Sequence, residues 1–149
     1  MNEDKKPAVS YWHLWTDAQG MSHQTRCELT EFKKGAIQPG AAPQWIGSKT
    51  EGDAAVFVTV LPPGWVGDWH ENPKPQWIVP LTGRWFVESM DGCRVEMGPG
   101  EISFGEDQGS REAGGKKGHL SGTVGDEPAV LMLIQLLTLP EGSSPCRFS

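Results

Sequence analysis

The chain has 149 residues, 37% hydrophobic and 21% charged, and carries a net charge of −6 at pH 7. That length fits one domain and allows a real core, with about 68–70% of the extended-chain surface buried on folding. The acidic balance argues against a nucleic-acid scaffold, which shows a basic face; Lys33-Lys34 and Lys116-Lys117 are too short to make one. No stretch approaches the roughly eighteen apolar residues of a membrane helix.

In chain order, residues 1–10 are polar and expected to be loose, and Met1 to Pro7 has no apolar run behind its charges, so it does not read as a secretory signal and the expected location is cytoplasmic. Residues 11–32 read as N-terminal strands broken by the Asp17-to-Gly20 turn. Residues 35–52, rich in Gly, Pro and Ala, read as a long connection carrying an apolar clip at Pro43-Gln44-Trp45-Ile46. Ala54 to Leu61 is apolar and β-branched, a core strand stopped by Pro62-Pro63-Gly64. Gln76 to Leu81 is a strand. Arg84 to Met90 follows the Thr82-Gly83 turn, and Asp91-Gly92 is a strong hairpin turn into Arg94–Met97. Gly98-Pro99-Gly100 turns into residues 101–104. His119 to Val124 and Ala129 to Leu137 complete the strands, and 138–149 reads as a loose tail. No segment has the period of a long amphipathic helix. Short strands between Pro and Gly turns point to an all-β sandwich or barrel. Cys27, Cys93 and Cys146 are odd in number and widely spaced, and read as reduced thiols.

The chemistry concentrates in Gly67-Asp-Trp-His70-Glu-Asn72-Pro-Lys-Pro-Gln76-Trp-Ile-Val-Pro-Leu-Thr-Gly83 and in Gly118-His119-Leu120, about fifty positions after His70. Sparse histidines on separate extended segments, with a polar partner, can assemble a small metal site in a β-barrel, and three protein ligands leave positions open for water or substrate. Period-two alternation puts Gln76, Ile78 and Pro80 on one face and Trp77, Val79 and Leu81 on the other. Gln76 then enters the site while Trp77 packs away from it. Seven tryptophans are many for this length; most read as core, with an aromatic lid over a small ligand as the sharper alternative.

These segments resemble the motifs of the cupin superfamily. His70 takes the place of the first histidine of the first motif, Asn72 that of the second, Gln76 that of the glutamate, and Gly83 follows six residues on. Gly98-Pro99-Gly100-Glu101 resembles the Pro-Gly turn of the second motif, with His119 as its histidine. Small single-domain cupins of the Trp-His-x-x-Pro-x-x-Gln type are the nearest likeness, through Trp69 to Gln76 and Glu106-Asp107 followed by Gly115 to His119. The resemblance spans about residues 54–136. It implies a single domain over 1–149, an antiparallel jelly-roll β-barrel with few or no helices, and a homodimer, with exchange of the N-terminal strands between subunits as one way to form it. It also implies a divalent ion (nickel, zinc, manganese or iron) on His70, Gln76 and His119, with His70 and His119 catalytic and Asn72, Ile78 and His23 lining the pocket. The expected function is a metal-dependent small-molecule enzyme, a lyase or isomerase with the ion as Lewis acid, or one of oxygen chemistry. Asn72 and Gln76 depart from the usual ligands. They keep open a metal-free acid/base enzyme using His70, of dehydratase or epimerase kind, and a non-catalytic ligand-binding module. The 108–117 segment is longer than the family loop and expected near the pocket mouth.

Overall fold

The computed structural model describes residues 5–47, 49–140 and 142–148. Residues 1–4 of the polar start, Ser48 of the long connection, and Glu141 and Ser149 of the tail lie outside them. The described residues form strands and turns with no helix: β1 (Val9–Thr16), β2 (Ser22–Leu29), β3 (Phe32–Gly35), β4 (Gln44–Gly47), β5 (Ala54–Leu61), β6 (Gln76–Thr82), β7 (Arg84–Ser89), β8 (Arg94–Met97), β9 (Ser103–Glu106), β10 (His119–Val124) and β11 (Ala129–Leu136). The all-β expectation holds.

Three sheets are formed, with strand orders β2-β1-β9-β6-β11-β5, β10-β7-β8 and β3-β4. The six-stranded sheet is mixed. β1 runs parallel to β9, and its other pairs are antiparallel, so the wholly antiparallel expectation is corrected at one pair. The first strand pairs with residues 91 positions later, a closure that no hairpin turn announces. The connection at 35–52 contains β4, which folds back on β3 as a hairpin.

Alternation along each strand gives the large sheet two apolar faces. One packs on the β10-β7-β8 sheet through Leu14, Ile78, Trp85, Val87, Met97 and Leu131. The other carries a second cluster around Tyr11, Cys27, Phe104 and Leu136, joined by Trp77, Cys146 and Phe148. Gln76 and Trp77 therefore part to opposite sides of the sheet, as a period of two requires.

The segment after β11 covers part of that second face. The Cys146 amide donates to His13 Nδ1 at 2.9 Å and the Phe148 amide to the Tyr11 hydroxyl at 3.3 Å. Arg147 pairs with the buried Glu106 carboxylate, which His13 Nε2 also meets at 2.8 Å. A disulfide joins Cys27 to Cys146 across a sequence separation of 119, with Cα atoms 5.3 Å apart. This corrects the reading of all three cysteines as reduced thiols, for only Cys93 is free. Sequence spacing does not show that β2 and the C-terminal segment lie on one face of one sheet.

Candidate functional site

β5 ends at Leu61, and the chain crosses between the two sheets before β6 begins at Gln76. Midway, His70 forms an isolated antiparallel bridge with His119, the first residue of β10. Each backbone amide donates to the other's carbonyl at 3.0 Å. The bridge brings the two rings together, with centroids 4.8 Å apart and planes at 47°. Gly118 allows it. Its φ is +67°, and a Cβ there would be driven into the His70 carbonyl.

Both imidazoles are oriented through Nδ1. His119 Nδ1 donates to Asp107 Oδ2 at 2.7 Å, and His70 Nδ1 donates to the Asp68 carbonyl, also at 2.7 Å. Each ring is left with Nε2 unengaged by those bonds, and both residues line the same cavity.

A chain of amides stands behind this pair. Asp107 Oδ1 accepts from the Asn72 backbone and side-chain amides, both at 2.8 Å. Asn72 Oδ1 accepts from Gln76 Nε2 at 2.5 Å, and Gln76 Oε1 from Gln135 Nε2 at 3.0 Å. An ionised carboxylate only accepts, so Asp107 dictates the direction of every donor back to Gln135. Burial pushes the Asp107 carboxyl up, but the hydrogen bond and positive potential of His119, with the two Asn72 donors, outweigh it and hold the group below the ordinary value.

The cavity measures about 160 Å³. Leu61, Ile78, Trp85 and Leu131 form apolar walls, Trp65 adds a ring from the crossing segment, and His70, Asn72, Gln76 and His119 make a polar end. Thr59, Ser121 and Leu133 complete most of the rest. An apolar cavity of about 150 Å³ accepts a molecule of benzene's size.

The 108–117 loop is tied to the same segment. Gln108 Nε2 donates to the Asn72 carbonyl at 2.8 Å. Ser110 Oγ donates to Glu71 at 2.8 Å and accepts from the Gly118 amide at 2.9 Å.

Of the residues singled out in the sequence, His70, Asn72, Gln76, Ile78 and His119 share this cavity. His23 does not line it, which corrects the expectation for that residue. It is held between Asp17 at 2.7 Å and Asp91 at 3.0 Å and stacks on Trp15 with ring centroids 4.9 Å apart. Both belong to the face of β1 and β2 that carries Tyr11 and Cys27. Sequence reasoning missed Asp107 and Gln135. Asp107 was visible in the Glu106-Asp107 pair, but nothing local marked which of these two buried carboxylates turns toward His119 and which toward His13.

Among the described residues, no group of three or more His, Cys, Asp and Glu side chains is arranged to hold a metal ion. The donors available to an ion are therefore the two imidazoles and an amide. Metal–nitrogen bonds of about 2.0–2.1 Å put two imidazoles on one ion with ring centroids about 4.5–5.5 Å apart, and the observed 4.8 Å fits. A ligating histidine normally gives its other N–H to a carboxylate or a backbone carbonyl, and both rings do. The Gln76 oxygen fits less well, since it already accepts from Gln135. No protein-family model matches the chain, and no curated protein matches it.

Proposed function

We propose that the cavity is the active site of a small-molecule enzyme of cupin type, in which His70 and His119 together hold a divalent metal ion through Nε2. One observation carries the reading: the two rings face one cavity at 4.8 Å, each with Nδ1 tied to an oxygen acceptor. Gln76 is the third donor if its oxygen is shared with Gln135. The ion, whether nickel, zinc, manganese or iron, would supply Lewis-acid polarisation of a substrate oxygen for lyase or isomerase chemistry, or else oxygen chemistry. The protein's own part is orientation. Asp107 fixes the His119 tautomer, the Asp68 carbonyl fixes that of His70, and the apolar walls select a ligand of about benzene's size with a polar group at the histidine end. Two facing sheets around one cavity support a jelly-roll barrel of the cupin kind.

A second reading is metal-free acid/base catalysis, favoured by the incomplete ligand set among the described residues. The buried Asp107–His119 pair then suits His119 better than His70 as the base. The Cys27–Cys146 disulfide supports an oxidising compartment over the cytoplasm expected from the sequence.

The test is metal content. The purified chain is offered nickel, zinc, manganese and ferrous iron in turn, and bound metal is measured after desalting. One equivalent held by the parent and lost in both His70→Ala and His119→Ala, with circular dichroism unchanged, supports the metal enzyme. A parent that holds none of the four moves the conclusion to the metal-free base.

A further inference from the structure

β5 is an edge strand of the six-stranded sheet and pairs with β11 alone. Its alternate residues face opposite ways, and Phe57, on the side of Thr59 and Leu61, is also 43% exposed. Thr59 and Leu61 line the cavity, whereas Val56, Val58 and Val60 point the other way and are 60%, 52% and 56% exposed. Register sets Ile134, Met132 and Val130 of β11 beside these three valines; all three are half-buried and Ile134 packs on the second cluster, so the strongly exposed apolar surface lies on the edge strand itself. The far half of the same face is covered by the chain's own C-terminal segment, through Cys146 and Phe148.

Folded proteins blunt exposed edges with charge, proline or a bulge. The opposite edge, β2, carries Arg26 and Glu28. β5 has none of these devices: its ladder with β11 runs through eight consecutive pairs without a break. No charged residue occurs between Asp53 and Asp68, although at 21% charged the chain would place about three there.

We infer that β5 is the contact strand of a symmetric homodimer, pairing antiparallel with β5 of a second copy about a two-fold axis at Val58. The second copy is the occupant these features favour. Antiparallel pairing about Val58 sets Val56 opposite Val60 and Ala55 opposite Leu61, apolar on apolar with the faces preserved. Asp53 falls opposite Pro63, so two chains of net charge −6 meet without like charges in register. The pairing satisfies the free backbone edge, and a two-fold contact closes on itself, so assembly stops at two. This dimer differs from an exchange of N-terminal strands, and it does not depend on what the cavity binds.

Light scattering on the full chain tests it. The parent is expected at twice 16.3 kDa, and Val58→Lys at the single mass with unchanged circular dichroism, because Val58 is already half exposed. Val58→Cys in a Cys93→Ser background, which removes the free thiol, provides a positive readout: mild oxidation should join two copies on a non-reducing gel, and Cys93→Ser alone should stay single. A monomeric parent, open-ended assemblies, or a β5 that captures only an unrelated protein overturns the inference. So does a dimer that survives Val58→Lys, which would point instead to β1 and β2, and so does a Val58→Cys dimer that fails to cross-link.

Discussion

His70 and His119 exchange both backbone hydrogen bonds, each amide donating to the other's carbonyl at 3.0 Å. The closeness of their rings follows from this bridge and needs no help from the strands' own ladders. The bridge depends in turn on Gly118, whose φ of +67° and lack of a Cβ let the two chains meet.

Gly118→Ala is therefore expected to act on the site as well as on stability. The left-handed backbone costs an alanine about 1–2 kcal/mol, and the new Cβ must also push the His70 carbonyl away. Thermal unfolding should fall by at least about 2–4 °C for each kcal/mol lost in a chain of this size. Metal uptake should weaken along with it. A variant as stable as the parent would show that the bridge tolerates separation.

Asp107→Asn removes a buried carboxylate that accepts from three donors. An amide presents one oxygen to them, and its NH₂ faces a donor. The expected loss is about 3 kcal/mol, since an unsatisfied buried group alone costs about 1–3 kcal/mol. If Asp107 also orients His119 toward an ion, affinity should drop about 10–100-fold, the usual effect of losing such an outer partner. Calorimetry of folding and of metal binding on the same variant separates the two roles. Lost stability with unchanged affinity would make Asp107 purely structural.

Removing the disulfide should be felt across the whole domain. Its sequence separation of 119 corresponds to about 4–5 kcal/mol in the chain-entropy account, with 2–5 kcal/mol usual on removing a native bridge. Cys146→Ser should therefore lower the urea midpoint. Trp77 emission should change too, because Trp77 packs against Phe148 of the tethered segment at 5.5 Å. An unshifted midpoint would mean that the Arg147, His13 and Tyr11 contacts hold the segment by themselves.

The cluster at His23 predicts a pH dependence of stability. Burial lowers the His23 pKa, but hydrogen bonds and charge from Asp17 and Asp91 outweigh it, and the folded value lies above 6.5. Its stabilising effect is full below 6.5 and fades as pH rises through the folded pKa. Asp17 is lowered below 3.8, chiefly by its hydrogen bond to His23. Asp91 is also lowered: burial raises it, but bonds from Ser89, Cys93 and His23 outweigh that. The carboxylates therefore contribute above 3.8 and fail as pH falls through their lower folded values. The unfolding-temperature gap between the parent and His23→Gln should be widest near about pH 5 and shrink by about pH 9. A gap that grows toward alkaline pH would contradict the assignment.

The sequence by itself determined what depends on neighbours along the chain. Alternating side chains assigned Gln76 and Trp77 to opposite faces, and Asp91-Gly92 marked the β7–β8 hairpin, because strand period and turn conformation are local properties. The spacing of His70, Asn72 and Gln76 likewise marked one half of the cavity's polar end. Tertiary structure decided what depends on distant segments meeting. Asn72 reaches Asp107 across 35 positions, Cys27 reaches Cys146 across 119, and His23, near the histidine motif in type, lies on the other face of the sheet. Local pattern tells which way a side chain points from its own strand. Only the order of strands in the sheet, set by packing the whole apolar surface at once, decides which other residues it meets.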